Sequence, residues 1–168
     1  MSQQPVIDSL QFSQRSECLS GSVPLVQLAR LMSELESSEG VLEFSLQGAT
    51  GSDGEPLLHL VVNGLLQLRC KRCLQPVGFP VVLDTVLELL DEERIEPTQE
   101  ELEDDSRDFL AASRSMNVVL LIEDEVLLAL PVAPRHDKCS LPDIRHDPEA
   151  ASPFGVLLEF KGRVGKMH

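Results

Sequence analysis

The sequence predicts one α+β domain: an antiparallel sheet that could close into a barrel, a long buried helix, and a short terminal helix. Three observations carry that expectation. Extended runs follow one another through residues 41–90 with short turns between them, and 81–89 alternate with a period of two, the pattern of an antiparallel meander. Residues 118–130 are apolar almost all round behind a capping asparagine, the pattern of a helix buried on most sides. The chain has 168 residues, of which 42% are hydrophobic. That suits one domain with a real core, and with no Trp, no Tyr and six Phe the core must be aliphatic.

Taken in order, Val6, Ile7, Leu10 and Phe12 suggest an edge strand, and Cys18 a half-buried small residue. Ser22 followed by Pro24 reads as a capped helix start, with Leu25, Leu28, Ala29, Leu31, Met32 and Leu35 at helical spacing and Gly40 at or beyond the end. Val41, Leu42, Phe44 and Leu46 read as a strand, and 48–54 as its turn. The runs 57–62 and 65–70 read as two arms of a hairpin, because Asn63-Gly64 suits a two-residue turn. Residues 77–90 form another extended stretch, with Pro76 and Pro80 making its start irregular.

Residues 91–115 read as a flexible acidic loop inside the domain. Positions 91–108 hold ten acids, two bases and few apolar side chains, too little to offset ordering entropy. Asn117 then caps the helix at 118–130, for which a strand is the alternative reading. Glu125 falls on the face of Val118, Ile122 and Ala129 and needs a partner there, an arginine or a backbone terminus. Glu123 and Asp124 point to other faces. Pro131 and Pro134 stop the element. Ser152-Pro153-Phe154 opens the short terminal helix, and a basic, glycine-containing tail follows.

The net charge of −14 opposes non-specific binding to nucleic acid and favours basic partners. The distribution is uneven. Residues 66–80 hold no acid but include Arg69, Lys71 and Arg72. No apolar run is long enough to span a membrane, and the N-terminus lacks a secretory pattern. The expected compartment is therefore the cytoplasm, with the four cysteines reduced or metal-bound.

Cys70-x-x-Cys73 places two thiols on one turn, and His136-x-x-Cys139 repeats the spacing. Together they could hold zinc through three sulfurs and one nitrogen. A bare turn with unligated thiols is the plain alternative. A redox pair is another, since Lys71 and Arg72 would lower a thiol pKa, although no helix follows the turn. Neither a phosphate loop nor a nucleophile elbow is present, and the carboxylates cluster in the acidic loop, so an enzyme is not expected. His59 reads as a packed or surface side chain. Arg69, Lys71, Arg72, Arg135, Lys138, Arg145, Lys161, Arg163 and Lys166 are nine of the fourteen bases. If the two cysteine segments meet, these bases make one patch suited to phosphates.

The blocks Arg69-Cys-Lys-Arg-Cys-Leu-Gln-Pro76, the acidic middle, Ile122-Glu-Asp-Glu-Val-Leu-Leu-Ala-Leu-Pro-Val-Ala-Pro-Arg-His136, a following cysteine, and Ser152-Pro-Phe-Gly-Val-Leu158 resemble the bacterial YceD family, named for large ribosomal RNA subunit accumulation. The resemblance covers roughly residues 60–160. It implies a soluble bacterial protein with a non-enzymatic role in making or preserving large-subunit (23S) ribosomal RNA. Some branches of the family carry a further cysteine-rich C-terminal segment, which this chain lacks. The resemblance therefore carries over Cys70, Cys73 and Cys139. The expected partner is large-subunit ribosomal RNA or a pre-ribosomal particle. Two other readings stay open: an escort whose acidic loop holds a basic ribosomal protein, and a thiol oxidoreductase.

Overall fold

The computed structural model describes residues 4–90 and 108–141. Its elements in chain order are β1 (Val6–Ile7), α1 (Ser9–Gln14), β2 (Cys18–Pro24), two 3-10 turns (Leu25–Gln27 and Leu31–Glu34), β3 (Val41–Thr50), β4 (Pro56–Arg69), β5 (Pro76–Leu90), β6 (Asp108–Ala111), β7 (Met116–Asn117) and α2 (Val118–Ala129). The five-stranded sheet runs in the order β2-β3-β4-β5-β6. Its first four strands pair antiparallel, while β6 joins β5 in parallel. A separate two-stranded ribbon pairs β1 with β7.

Period-two alternation sorts the sheet into two faces. Leu42, Phe44 and Leu46 on β3, Leu58, Leu60, Val62, Leu66 and Leu68 on β4, and Val81, Leu87 and Leu89 on β5 all point inward and are buried. The 3-10 turns contribute Leu25, Leu28 and Leu31, and α2 contributes Val118, Val119, Ile122 and Val126. Each such leucine or valine contributes on the order of 1.5–3 kcal/mol by leaving water.

Helix α2 starts where predicted. The Asn117 side chain accepts from the Val119 and Leu120 N–H groups at 2.9 and 3.2 Å, satisfying two of the orphan donors of a helix start. It ends at Leu130, whose ψ of 138° is extended, as expected before Pro131.

Several expectations are corrected. The sheet is open, ending at β2 and β6, so it closes no barrel. Helix α2 is twelve residues long, and Leu120 and Leu128 are exposed, so it buries one side only. The helix expected from Ser22 is a strand followed by 3-10 turns. Leu25, Leu28 and Leu31 are spaced by three, which fits the three-residue period of a 3-10 turn. Asn63-Gly64 is no turn: both residues lie inside the continuous β4. Gly64 is there for space, because a Cβ would meet Leu42 Cδ2 at 2.5 Å. The true hairpin turn is 70–75. The first segment is mostly α1 rather than an edge strand, and Cys18 is exposed. At the end of the expected acidic loop, Asp108–Ala111 is a strand. Residues 91–107 and the expected terminal helix lie outside the described residues.

Candidate metal centre

The β4–β5 hairpin delivers Cys70 and Cys73 on one turn. The Cys70 N–H donates to Gln75 O at 2.9 Å and the Leu74 N–H to Cys70 O at 3.0 Å. Leu74 closes the turn with φ of 62°, a left-handed conformation a leucine adopts only when its surroundings impose it. The segment after α2 comes back across this turn, with the Lys71 N–H donating to Pro134 O at 2.9 Å. That hydrogen bond delivers His136 and Cys139.

The four ligand atoms of Cys70, Cys73, His136 and Cys139 all lie within 4.8 Å of one another. Cys70 Sγ stands 3.8 Å from Cys139 Sγ, and Cys73 Sγ stands 3.3 Å from His136 Nδ1. In a tetrahedral zinc site, bonds of about 2.3 Å to sulfur and about 2.0 Å to nitrogen give S···S edges near ~3.8 Å and S···N edges near ~3.5 Å. The 3.8 and 3.3 Å separations lie close to those edges, so the cluster could bind a metal such as zinc.

The surroundings suit ligation. His136 Nε2 lies 2.9 Å from Pro76 O. A carbonyl only accepts, so Nε2 carries the proton and Nδ1 keeps its lone pair for the centre. The N–H groups of Cys73 and Arg72 point at Cys70 Sγ, at 3.5 and 3.4 Å. The Cys73 N–H leads in lowering the Cys70 thiol pKa to about 5, against the opposing effect of burial, so the turn favours a thiolate at this sulfur. Burial, with the neighbouring sulfurs, pushes the Cys139 thiol up. A divalent cation would reverse that by favouring the thiolate.

Arg72 is half-buried, and its Nη1 donates to Cys139 O at 3.1 Å, so it ties the two halves together as well as adding charge. Arg69, Lys71, Arg135 and Lys138 are exposed around the cluster. Arg69 leans towards Glu36, at 3.5 Å. Lys71 and Arg69 also border an open groove of about 330 Å³ whose aliphatic walls are Leu68, Leu127, Leu130 and Pro134. Lys161, Arg163 and Lys166 lie outside the described residues.

The buried acid of α2 is Glu123, not Glu125. Glu123 Oε1 accepts from the Arg30 and Leu31 N–H groups at 2.7 and 3.1 Å, and Oε2 takes the Arg30 guanidinium at 3.0 Å. Those bonds hold its carboxyl below the usual range, although burial opposes them. Glu125 is half-buried, and desolvation with the nearby Asp108 and Asp124 raises its pKa. The sequence signal for Glu123 was its place one turn from both Val119 and Val126. Its bonds to Arg30 and Leu31 pin α2 to the 3-10 turns and so fix where the chain leaves towards His136.

The fold and the cluster define a class: a small α+β protein whose longest hairpin ends in a cysteine knuckle capped by a His-x-x-Cys segment. The family can also be stated. Residues 58–153 match the model for YceD, the large ribosomal RNA subunit accumulation protein, and the chain belongs to that family. Membership implies a role in accumulation of large-subunit ribosomal RNA and names no enzymatic reaction. No curated protein and no solved structure matches the chain.

Proposed function

We propose that this protein is a non-enzymatic accessory factor for accumulation of large-subunit (23S) ribosomal RNA. It binds that RNA, or a pre-ribosomal particle, through the basic rim of a zinc-stapled knuckle. The observation that supports this most is the closure of the 134–139 segment over the 70–75 turn. Without it, Arg69 and Lys71 would sit on one loop and Arg135 and Lys138 on another. Cys70, Cys73, Cys139 and His136 would hold the zinc, which supplies a rigid cross-link between the two segments. The cationic heads then contact phosphates, and the aliphatic groove beside them excludes water from one side of the interface.

The test is the triple variant Lys71→Glu/Arg135→Glu/Lys138→Glu, assayed for binding to large-subunit ribosomal RNA across a salt series. Each phosphate that is no longer neutralised should flatten the slope of log K against log salt by about 0.7–0.9. Three such phosphates should therefore flatten it by roughly 2–3. An unchanged affinity and slope would remove the basic rim from the binding surface.

A further inference from the structure

The two edges of the open sheet are protected differently. Strand β6 is four residues long and opens on Asp108, and a short strand bearing a charge is a common way to blunt an edge. Strand β2 runs seven residues, Cys18-Leu-Ser-Gly-Ser-Val-Pro24, and carries no charge, although 25% of the chain's residues are charged. Cys18, Ser20, Gly21 and Ser22 are exposed.

The hydrogen-bond ladder shows which backbone groups of β2 are free. Cys18 pairs with Gln47 and Pro24 with Val41, in one unbroken register. The Gly48 N–H donates to Glu17 O at 2.8 Å, and the Leu25 N–H to Gly40 O at 3.1 Å. Those bonds flank the two pairs, which makes Cys18–Gln47 and Pro24–Val41 pairs of the non-hydrogen-bonded type. By alternation, Leu19, Gly21 and Val23 bond to β3, while Cys18, Ser20, Ser22 and Pro24 turn their backbone groups away from it. Among the described residues, none of these outward groups finds a hydrogen-bond partner.

This free edge is self-complementary. Laid antiparallel against itself about a two-fold axis at Gly21, β2 sets Ser20 opposite Ser22 of a second copy, Leu19 opposite Val23, and Cys18 opposite Pro24. Each Ser20–Ser22 pair exchanges both backbone bonds. Each Cys18 N–H meets a Pro24 carbonyl, while Pro24 has no N–H to return. The edge then closes with about six interchain bonds. At the axis the two Gly21 residues form a non-hydrogen-bonded pair, the closest approach in such a ladder at about 4.5 Å between Cα atoms, and neither brings a side chain to it. Half-buried Leu19 and buried Val23 meet on the core side, so apolar faces apolar.

We propose that β2 pairs with β2 of a second copy, forming a symmetric dimer whose two five-stranded sheets become continuous. Gly21 is level with Phe44 and Val62, and Cys70 lies about 26 Å further along β4 at about 3.3 Å per residue. The two-fold therefore sets the two knuckles at opposite ends of the joined sheet, roughly 50 Å apart along the strands.

Sedimentation of the full-length protein over a range of micromolar concentrations should show the mass rising from 18.5 kDa towards twice that value. Salt should strengthen the dimer, because the interface is uncharged and each copy carries −14. Residue-resolved hydrogen exchange should find the Ser20 and Ser22 amides protected only as the dimer forms, and Leu19, Gly21 and Val23 protected throughout. Ser20→Lys/Ser22→Lys sets like charges opposite one another and should give a monomer with an unchanged far-UV circular dichroism spectrum. Ser20→Lys/Ser22→Glu sets opposite charges there and should restore the dimer; failure to do so would overturn the register. A monomer at every concentration and salt, with Ser20 and Ser22 exchanging freely, would overturn the proposal and leave the edge to a strand of another protein. A monomer with both amides protected would overturn it by showing that the chain covers its own edge. A dimer indifferent to the lysine changes would place the interface elsewhere, and that too would overturn it.

Discussion

Replacing Glu123 with Ala should be among the most damaging single changes in the described residues. The carboxylate serves two backbone donors, the N–H groups of Arg30 and Leu31, and two nitrogens of the Arg30 guanidinium. Its side chain is 3% exposed, and Leu31 is fully buried. An orphaned buried donor costs about 1–3 kcal/mol. The half-exposed Arg30 forfeits only the ~0–1 kcal/mol of a solvated pair. Two such donors and that pair total about 2–7 kcal/mol, and the usual cost of breaking a buried pair, about 3–5 kcal/mol, lies inside that range. At about 2–4 °C per kcal/mol for a protein of this size, Tm should fall by roughly 6–20 °C in far-UV circular dichroism. Glu123→Gln keeps an acceptor for the backbone donors and should be milder. The pH dependence follows from the lowered carboxyl pKa. The unfolded carboxyl has the higher pKa, about 4.3. The stabilisation is therefore complete above that value and disappears as pH falls through the lower folded one. In Glu123→Gln that slope should be absent. A cost for Glu123→Ala under ~1 kcal/mol, or no greater than that of Asp124→Ala at the surface, would refute this role for Glu123.

Gly48→Ala should cost at least about 2 kcal/mol in a urea titration, because its Cβ would fall 2.2 Å from Phe12 O, a backbone atom held by α1. Gly64→Ala should cost less, since the first atom met is the movable Leu42 Cδ2. Leu128→Lys, at an 81% exposed position, should change stability by no more than about 0.5 kcal/mol by the same assay. A strong chelator should lower Tm, because removing a ligand bound only by the folded state removes its linkage free energy. That effect should vanish in Cys70→Ser/Cys73→Ser.

The parts legible in the sequence were those governed by local rules. Period-two alternation located β3 and β5, Asn117 announced the start of α2, and Cys-x-x-Cys with His-x-x-Cys marked the residues that meet at the knuckle. The rest depended on partners far along the chain. Asn63-Gly64 carries a turn signature, but β3 and β5 pair on both sides of it and keep β4 straight. A run that is apolar all round has no moment to show which side faces inward, so Glu125 looked buried when Glu123 was. The glycine-containing strand β2 has polar residues at Ser20 and Ser22 and little alternation. Its place at the sheet edge comes from pairing with β3. Arg30 gave no local hint that it would meet an acid more than ninety residues away.

In the proposed function, a zinc staple at the end of the β4–β5 hairpin locks the two basic segments into one RNA-binding surface. Metal content of freshly purified protein, with thiol titration of the same sample, probes it most directly. The stapled knuckle should yield about one zinc per chain and Cys18 as the sole readily titrated thiol. Four reactive thiols and no bound metal would contradict it.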